Sequence, residues 1–406
     1  MISALGLIVL GLLSAAILYF ERTISSKRTA VAAAVLIVCA MLLRGLCMEH
    51  ETLDYQNFLS VWVEQLRSNG GFAALRGSIG NYNVPYLYFL AAFSYLDTAP
   101  HIPIKLLSVF FDVMLAWGVM RLVYLYRPSE GAVLSGFFIT LFLPTVVLNG
   151  AYWGQCDSIY AALAVWSIYF ALSRHPVLSM IFIALSLSFK LQAVFIMPVF
   201  LVFIFAGRIK WRHLPFFALG YIGAMLPAVA AGRPFLDTLL VYFRQAASVG
   251  SALNYNSPSV FAFVSRSADG VLCSRLGIAA AFAFLVLIFV WTFFTRERLT
   301  DRSLLALTLL ITVGVPFFLP HMHDRYFFIA DVLSVALAVV VPQLAAVPLC
   351  VSFGSLLGYY AYLVGRFLLP MRYGAAAMIF AMALVFVYLL LFRDTRPARR
   401  REHGSR

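Results

Sequence analysis

What most constrains this chain is a near-continuous succession of apolar runs, each about as long as a bilayer is thick. A membrane helix needs roughly 20 mostly apolar residues to cross ~30 Å of hydrocarbon. Such runs fall near 2–20, 29–46, 102–123, 131–149, 158–173, 177–189, 192–206, 214–231, 271–294, 303–319, 326–341, 344–363 and 375–392. Of the 406 residues, 63% are hydrophobic and only 12% charged. No water-soluble domain can hide that much apolar surface, so lipid is the solvent that fits. The expected fold is an all-α, polytopic transmembrane helix bundle of about 13 spans. It reads as one membrane domain over 1–392 with a basic tail at 393–406. The run from Ile2 to Phe20 lacks a positive leader and a small-residue cleavage site, so it reads as a retained span. Lys190 and Gln192 interrupt the apolar stretch 177–206, and Pro198 breaks its second part. Two short helices meeting at Lys190 explain this better than one long tilted helix.

The net charge is +13. No DNA- or RNA-binding motif accompanies it, so it reads as a topology signal and not as a nucleic-acid surface. Eighteen of the 30 Lys and Arg sit in short segments that fall on one side of a thirteen-span bundle. They run from Arg22, Lys27 and Arg28 through Arg208, Lys210 and Arg212 to the tail. By the positive-inside rule that side is cytoplasmic, with the amino terminus outside and the carboxyl terminus inside. The five cysteines show no CxxC spacing, and four lie in or beside apolar runs. They behave as small hydrophobes and not as a disulfide framework.

The other face is built differently. It carries two long loops, about 47–101 and 232–270, and polar turns at 149–157, at Lys190 and at 320–325. In the first loop Asp54 follows Glu49, His50 and Glu51. Beyond it Phe58, Leu59, Trp62 and Leu66 recur at helical spacing, as in an amphipathic helix lying on the membrane surface. A carboxylate held there can take a proton from a sugar hydroxyl. A solvated acidic loop end is the plainer reading. Asn81 and Tyr82, within Gly80–Tyr88, suit a polyhydroxylated ligand because amides and phenols both donate and accept. Tyrosines at a bilayer edge also form aromatic belts.

Trp153, Gln155 and Asp157 sit where the chain re-enters the membrane. Asp157 suits an N-cap or a helix-dipole partner in any case. Lys190 is expensive against lipid, so it either pairs with Asp157 or binds a phosphate. Asp112 lies mid-span and needs a partner such as Lys105 or Lys190. His321, His323 and Arg325 make a site for a phosphate or diphosphate, with bidentate donors from Arg325. Two histidines at i, i+2 do not define a metal site. Arg233, Arg244 and Arg266 add positive charge on this face.

Six segments in one order resemble the GT-C superfamily of membrane glycosyltransferases that use polyprenyl-phosphate sugars. They are DYQNFLSVWVEQLRSNGGF (54–72), GNYNVPYLY (80–88), IKLLSVFFD (104–112), WGQCDSIYAA (153–162), FKLQAVFIMP (189–198) and HMHDRYFF (321–328). They look most like bacterial relatives of the second GPI mannosyltransferase. A more distant similarity links them to the glucosyltransferases that extend dolichol-linked oligosaccharides. One departure is Asn81, at a loop position where the eukaryotic glucosyltransferases carry an acid. The resemblance implies a site on the non-cytoplasmic face, in a bacterial inner membrane the periplasmic one. It implies an acidic general base in the first external loop, best matched by Asp54 with Glu49 or Glu51 behind it. The donor it implies is a lipid-linked hexose, mannose favoured. The acceptor is a lipid, glycan or protein hydroxyl. His321, His323, Arg325 and Lys190 would hold the donor phosphate. Asn81, Tyr82, Trp153, Gln155, Asp157 and Gln192 would line the substrate site. No cofactor is required, and room is left for a divalent metal. The rival reading is a transporter or flippase for a lipid-linked sugar, with Asp112, Asp157 and Lys190 as a relay. Common transporter folds show paired repeats and midplane sites, and no repeat is visible here.

Overall fold

The computed structural model describes residues 1–242, 250–265 and 267–391. The protein is an all-α membrane bundle, about 76% helical. Eight helices in the described residues are long and apolar enough to cross a membrane, and a ninth span forms if one bent pair is counted. The expected spans at 158–173, 177–189, 192–206 and 326–341 are shorter apolar helices. The bent pair is Glu130–Phe142 and Pro144–Trp153, at 45°. Its cause is local: proline clashes with the residue before it, and Leu143 leaves the helical region at ψ 122°.

Lipid is written into the outer helices. Ile2–Phe20 and Gly270–Thr295 bury little of their length inside the protein, yet both are strongly apolar. Leu12 is 66% exposed and Phe294 80%. Only a hydrocarbon surround makes such faces stable, and the chain is a multi-pass membrane protein. The inner layer is built from His101–Tyr124, Asp157–Leu172, Pro176–Phe189, Asp301–Phe318 and Phe328–Val340, which pack on one another or on shared neighbours.

A fully buried ion pair in this layer corrects an expectation. Asp112 is bound by Arg44, not by Lys105 or Lys190. Arg44 Nη2 lies 2.8 Å from Asp112 Oδ2, and both side chains are completely buried. Arg44 Nε donates to the same oxygen, and Ser158 donates to the other at 2.5 Å. Two further Arg44 protons go to the carbonyls of Ala40 and Leu141. Such a pair offsets its desolvation only when further hydrogen bonds support it, as Ser158 and these two carbonyls do here. Lys105 is instead occupied by three carbonyls, those of Cys47, Met48 and His50.

The first long loop packs a small apolar cluster over the bundle end. Leu59, Trp62, Val63 and Leu66 are buried in it, while Phe58 is 49% exposed. A π-helical turn at Tyr55–Leu59 precedes the α-helix Ser60–Ser68. Phe58 stays beside Trp62, ring centroids 6.1 Å apart, at the edge of the cluster. All five cysteines are free thiols. Arg233 is buried and donates to the carbonyl of Gly77. Arg244, Arg266 and the tail 393–406 lie outside the described residues.

Candidate functional site

Four local devices bring polar residues to one end of the bundle. After Lys27–Gly45 the chain folds back over that end, gathered by the Lys105 ammonium. The Thr52 hydroxyl then bonds the Trp153 carbonyl at 3.0 Å, which seats Asp54 beside Trp153. The π-helical turn Leu148–Trp153 is closed by Gly154 at φ 79°, a left-handed conformation that suits glycine. Beyond it the Gln155 N–H returns to the Asn149 carbonyl at 2.9 Å, and Ser108 fixes the Gln155 carbonyl at 2.7 Å. The helix Pro176–Phe189 stops at Lys190, which is extended. Finally, Met322–His323 pairs in parallel with Asn254–Tyr255 and so presents Asp324 and Arg325.

Asp54 is the centre of the resulting cluster. Its Oδ2 accepts from Trp153 Nε1 at 2.9 Å and from Gln155 Nε2 at 2.8 Å. Its Oδ1 accepts from the Tyr362 hydroxyl at 2.5 Å. A carboxylate offers roughly four lone-pair positions, so Oδ1 is the oxygen with capacity left. Asp157 is buried and holds the Lys190 ammonium on Oδ1 and the Asn149 amide, at 2.7 Å, on Oδ2. Arg325 stands between the two acids. Its Nη1 is 3.7 Å from Asp54 Oδ2 and its Nε is 3.6 Å from Asp157 Oδ2. Its guanidinium carbon lies 5.3 Å from the centroid of Trp153. Both ion pairs are too long for good hydrogen bonds, and Arg325 Nε has no hydrogen-bond partner among the described residues. The arginine is held electrostatically while it keeps donors to offer.

Asp54, Asn81, Tyr82, Gln155 and Arg325 line a hollow of about 110 Å³, closed on its apolar side by Phe58, Leu59 and Trp62. The Tyr82 hydroxyl is 3.4 Å from Gln155 Oε1, and Lys190 Nζ lies 5.6 Å from the Tyr82 ring centroid.

Other expected residues are placed differently. His321 Nδ1 is 2.7 Å from the Ala252 carbonyl and its Nε2 faces Ser274, so this ring is tied to the second long loop. His323 stacks on Tyr255 at 4.6 Å. Burial first, then the Arg325 charge, pushes its imidazole down to about 4, so near neutrality it carries no charge. Gln192 is buried with its side-chain oxygen unpartnered among the described residues. Glu51 and Glu49 pair with His101, at 2.9 and 3.8 Å. The cluster is therefore charge-balanced rather than strongly cationic: Asp54 and Asp157 face Arg325 and Lys190.

Three participants were not singled out from the sequence. Tyr362 ends a span, where a tyrosine reads as an interface anchor. Asn149 ends another and carries no motif. Asp324 is a third newcomer; burial pushes its carboxyl up to about 7 against the pull of Arg325. Its pH signature opposes that of His323. Between about 4 and 7 folded Asp324 holds a proton that the unfolded chain has lost, so its contribution is full at low pH and fades as pH rises. Between about 4 and 6.5 the unfolded chain protonates the histidine and the folded one does not, so that contribution grows as pH rises. In Asp324→Asn only the histidine slope remains. Its melting temperature is expected to fall faster than wild type between pH 6.5 and 4, by roughly 1 kcal/mol of stability per pH unit. Parallel melting curves for the two proteins across that range would show the assignment wrong.

No protein-family model matches this chain, and no curated protein sequence matches it either.

Proposed function

We propose that the protein is an inverting membrane glycosyltransferase. It moves a hexose, mannose favoured, from a polyprenyl-phosphate donor to an acceptor hydroxyl. In this reading thirteen crossings put the Asp54 end of the bundle on the non-cytoplasmic face, the periplasmic one of a bacterial inner membrane. The observation that carries the proposal is the 3.7 Å approach of Arg325 to Asp54 at the edge of a shared hollow. Asp54 Oδ1 takes the acceptor proton as the acceptor oxygen attacks the anomeric carbon. The bond to the phosphate oxygen breaks, and Arg325 stabilises the charge gathering on the leaving phosphate. One base and direct displacement give inversion. Lys190 acts at one remove: bound to Asp157, it balances that acid and leaves Arg325 available.

Against transport stands the sealing of Asp112. Arg44 and Ser158 take its oxygens and no exposed surface remains on it, so it is not open to a solute path. The direct experiment incubates purified protein with radiolabelled polyprenyl-phosphate mannose, glucose or arabinose and a membrane extract. Label should move from one donor to a new product; if none of the three transfers, the proposal fails.

The geometry also separates two residues that the chain presents alike. Arg325→Gln is expected to slow transfer by roughly 10²–10³-fold. His321→Gln, in contrast, should leave the rate within about twofold, since the ring serves the Ala252 loop. Equal losses in the two variants would contradict the arrangement.

A further inference from the structure

The surface next to Tyr362 carries a feature that transfer chemistry does not use. From Val364 to Pro370 seven consecutive residues are exposed. The segment reads Val-Gly-Arg-Phe-Leu-Leu-Pro, with Phe367 56% and Leu368 62% exposed, and Arg372 lies two residues further on. Gly365 turns the chain at φ 72°. The amides of 365–369 make no backbone hydrogen bond among the described residues. A soluble protein would not leave Phe-Leu-Leu in water between two arginines.

The location says what covers it. The segment joins Pro342–Leu363 to Met371–Leu391, two spans of 22 and 21 residues. At 1.5 Å per residue each is about as long as the hydrocarbon core is thick. Their junction therefore lies at the boundary between acyl chains and headgroups. Apolar side chains belong below that boundary and arginines within the phosphate layer, where bidentate donors fit phosphate oxygens.

We propose that residues 364–372 dock on the phospholipid surface at the Asp54 end of the bundle. Phe367, Leu368 and Leu369 enter the acyl boundary, and Arg366 and Arg372 grip the phosphates of anionic lipids. The site gains from this. Tyr362, just before the loop, donates to Asp54 and stacks on Trp153 at 4.5 Å, so a moored loop steadies the carboxylate.

Hydrogen exchange of the full chain tests this without any transfer assay. The protein is placed in nanodiscs of phosphatidylcholine alone or mixed with phosphatidylglycerol, and exchange is read on peptides covering 364–370. The expected result is exchange roughly tenfold slower in the anionic discs. Arg366→Gln with Arg372→Gln should remove that difference. Phe367→Ser with Leu368→Ser should restore fast exchange in both discs. All four side chains are exposed, and an unchanged melting temperature certifies the fold of each variant. Equal exchange in the two compositions, or full protection surviving either double substitution, overturns the proposal.

Discussion

Asp54→Asn is expected to cut hexose transfer by roughly 10²–10⁴-fold while leaving the protein folded, the scale of a lost general base. The substitution is close to isosteric, and the surrounding donors tolerate it. Trp153 and Gln155 both donate to Oδ2, so the amide oxygen takes that position. The amide nitrogen then faces Tyr362, whose hydroxyl turns from donor to acceptor. What disappears is the one oxygen with spare capacity, Oδ1, and with it the destination of the acceptor's proton. Donor binding should survive, because Arg325 keeps its place over Trp153 and beside Asp157. The measurement is single-turnover transfer from the labelled polyprenyl-phosphate sugar, with the melting temperature as the control for folding. Turnover at the native rate would remove Asp54 from the mechanism.

Arg44→Met is expected to have the largest effect on stability, a loss of about 3–5 kcal/mol. It strands the Asp112 carboxylate in a fully buried setting where only Ser158 still donates to it. The site should suffer as well. Ser158, which donates to Asp112, adjoins Asp157 in the chain, so one wall of the cluster rests on this pair. Adding Asp112→Leu to Arg44→Met should recover most of the loss, because a buried pair is often replaceable by apolar side chains although half of one is not. Thermal unfolding of the wild type, both single variants and the double variant in one detergent gives the coupling directly. A double variant no better than the worse single one would show that Arg44 acts through packing and not through charge.

The comparison between chain and fold divides along physical lines. Asp54, Trp153 and Gln155 were singled out by their polar loops and by the family resemblance, Asp157 and Arg325 as charges at the ends of apolar runs. Their cost at the membrane edge marks them one by one. The pairing of Lys190 with Asp157 was one of two readings and needed coordinates to choose. Arg44 went unremarked because it sits near a span end, where a basic residue ordinarily reaches for the headgroups. Tyr362 and Asn149 carry no such mark, since a tyrosine or an amide at the end of a span is ordinary. His321 and His323 read alike in sequence. A left-handed φ of 62° at His321 and a two-residue strand pairing send one ring to Ala252 and the other against Tyr255.

Composition and the length of the apolar runs by themselves determined that this chain is helical and lives in lipid, because the hydrocarbon accepts almost nothing else. They also marked most of its costly polar residues as lying in a few turns, with Asp112 mid-span the exception. Which acid meets which base was decided only by tertiary structure. Each ion pair depends on sub-helical-turn offsets between packed helices, on a π-turn here and a glycine reversal there. These angstrom-scale placements leave no trace in a pattern of apolar and polar letters.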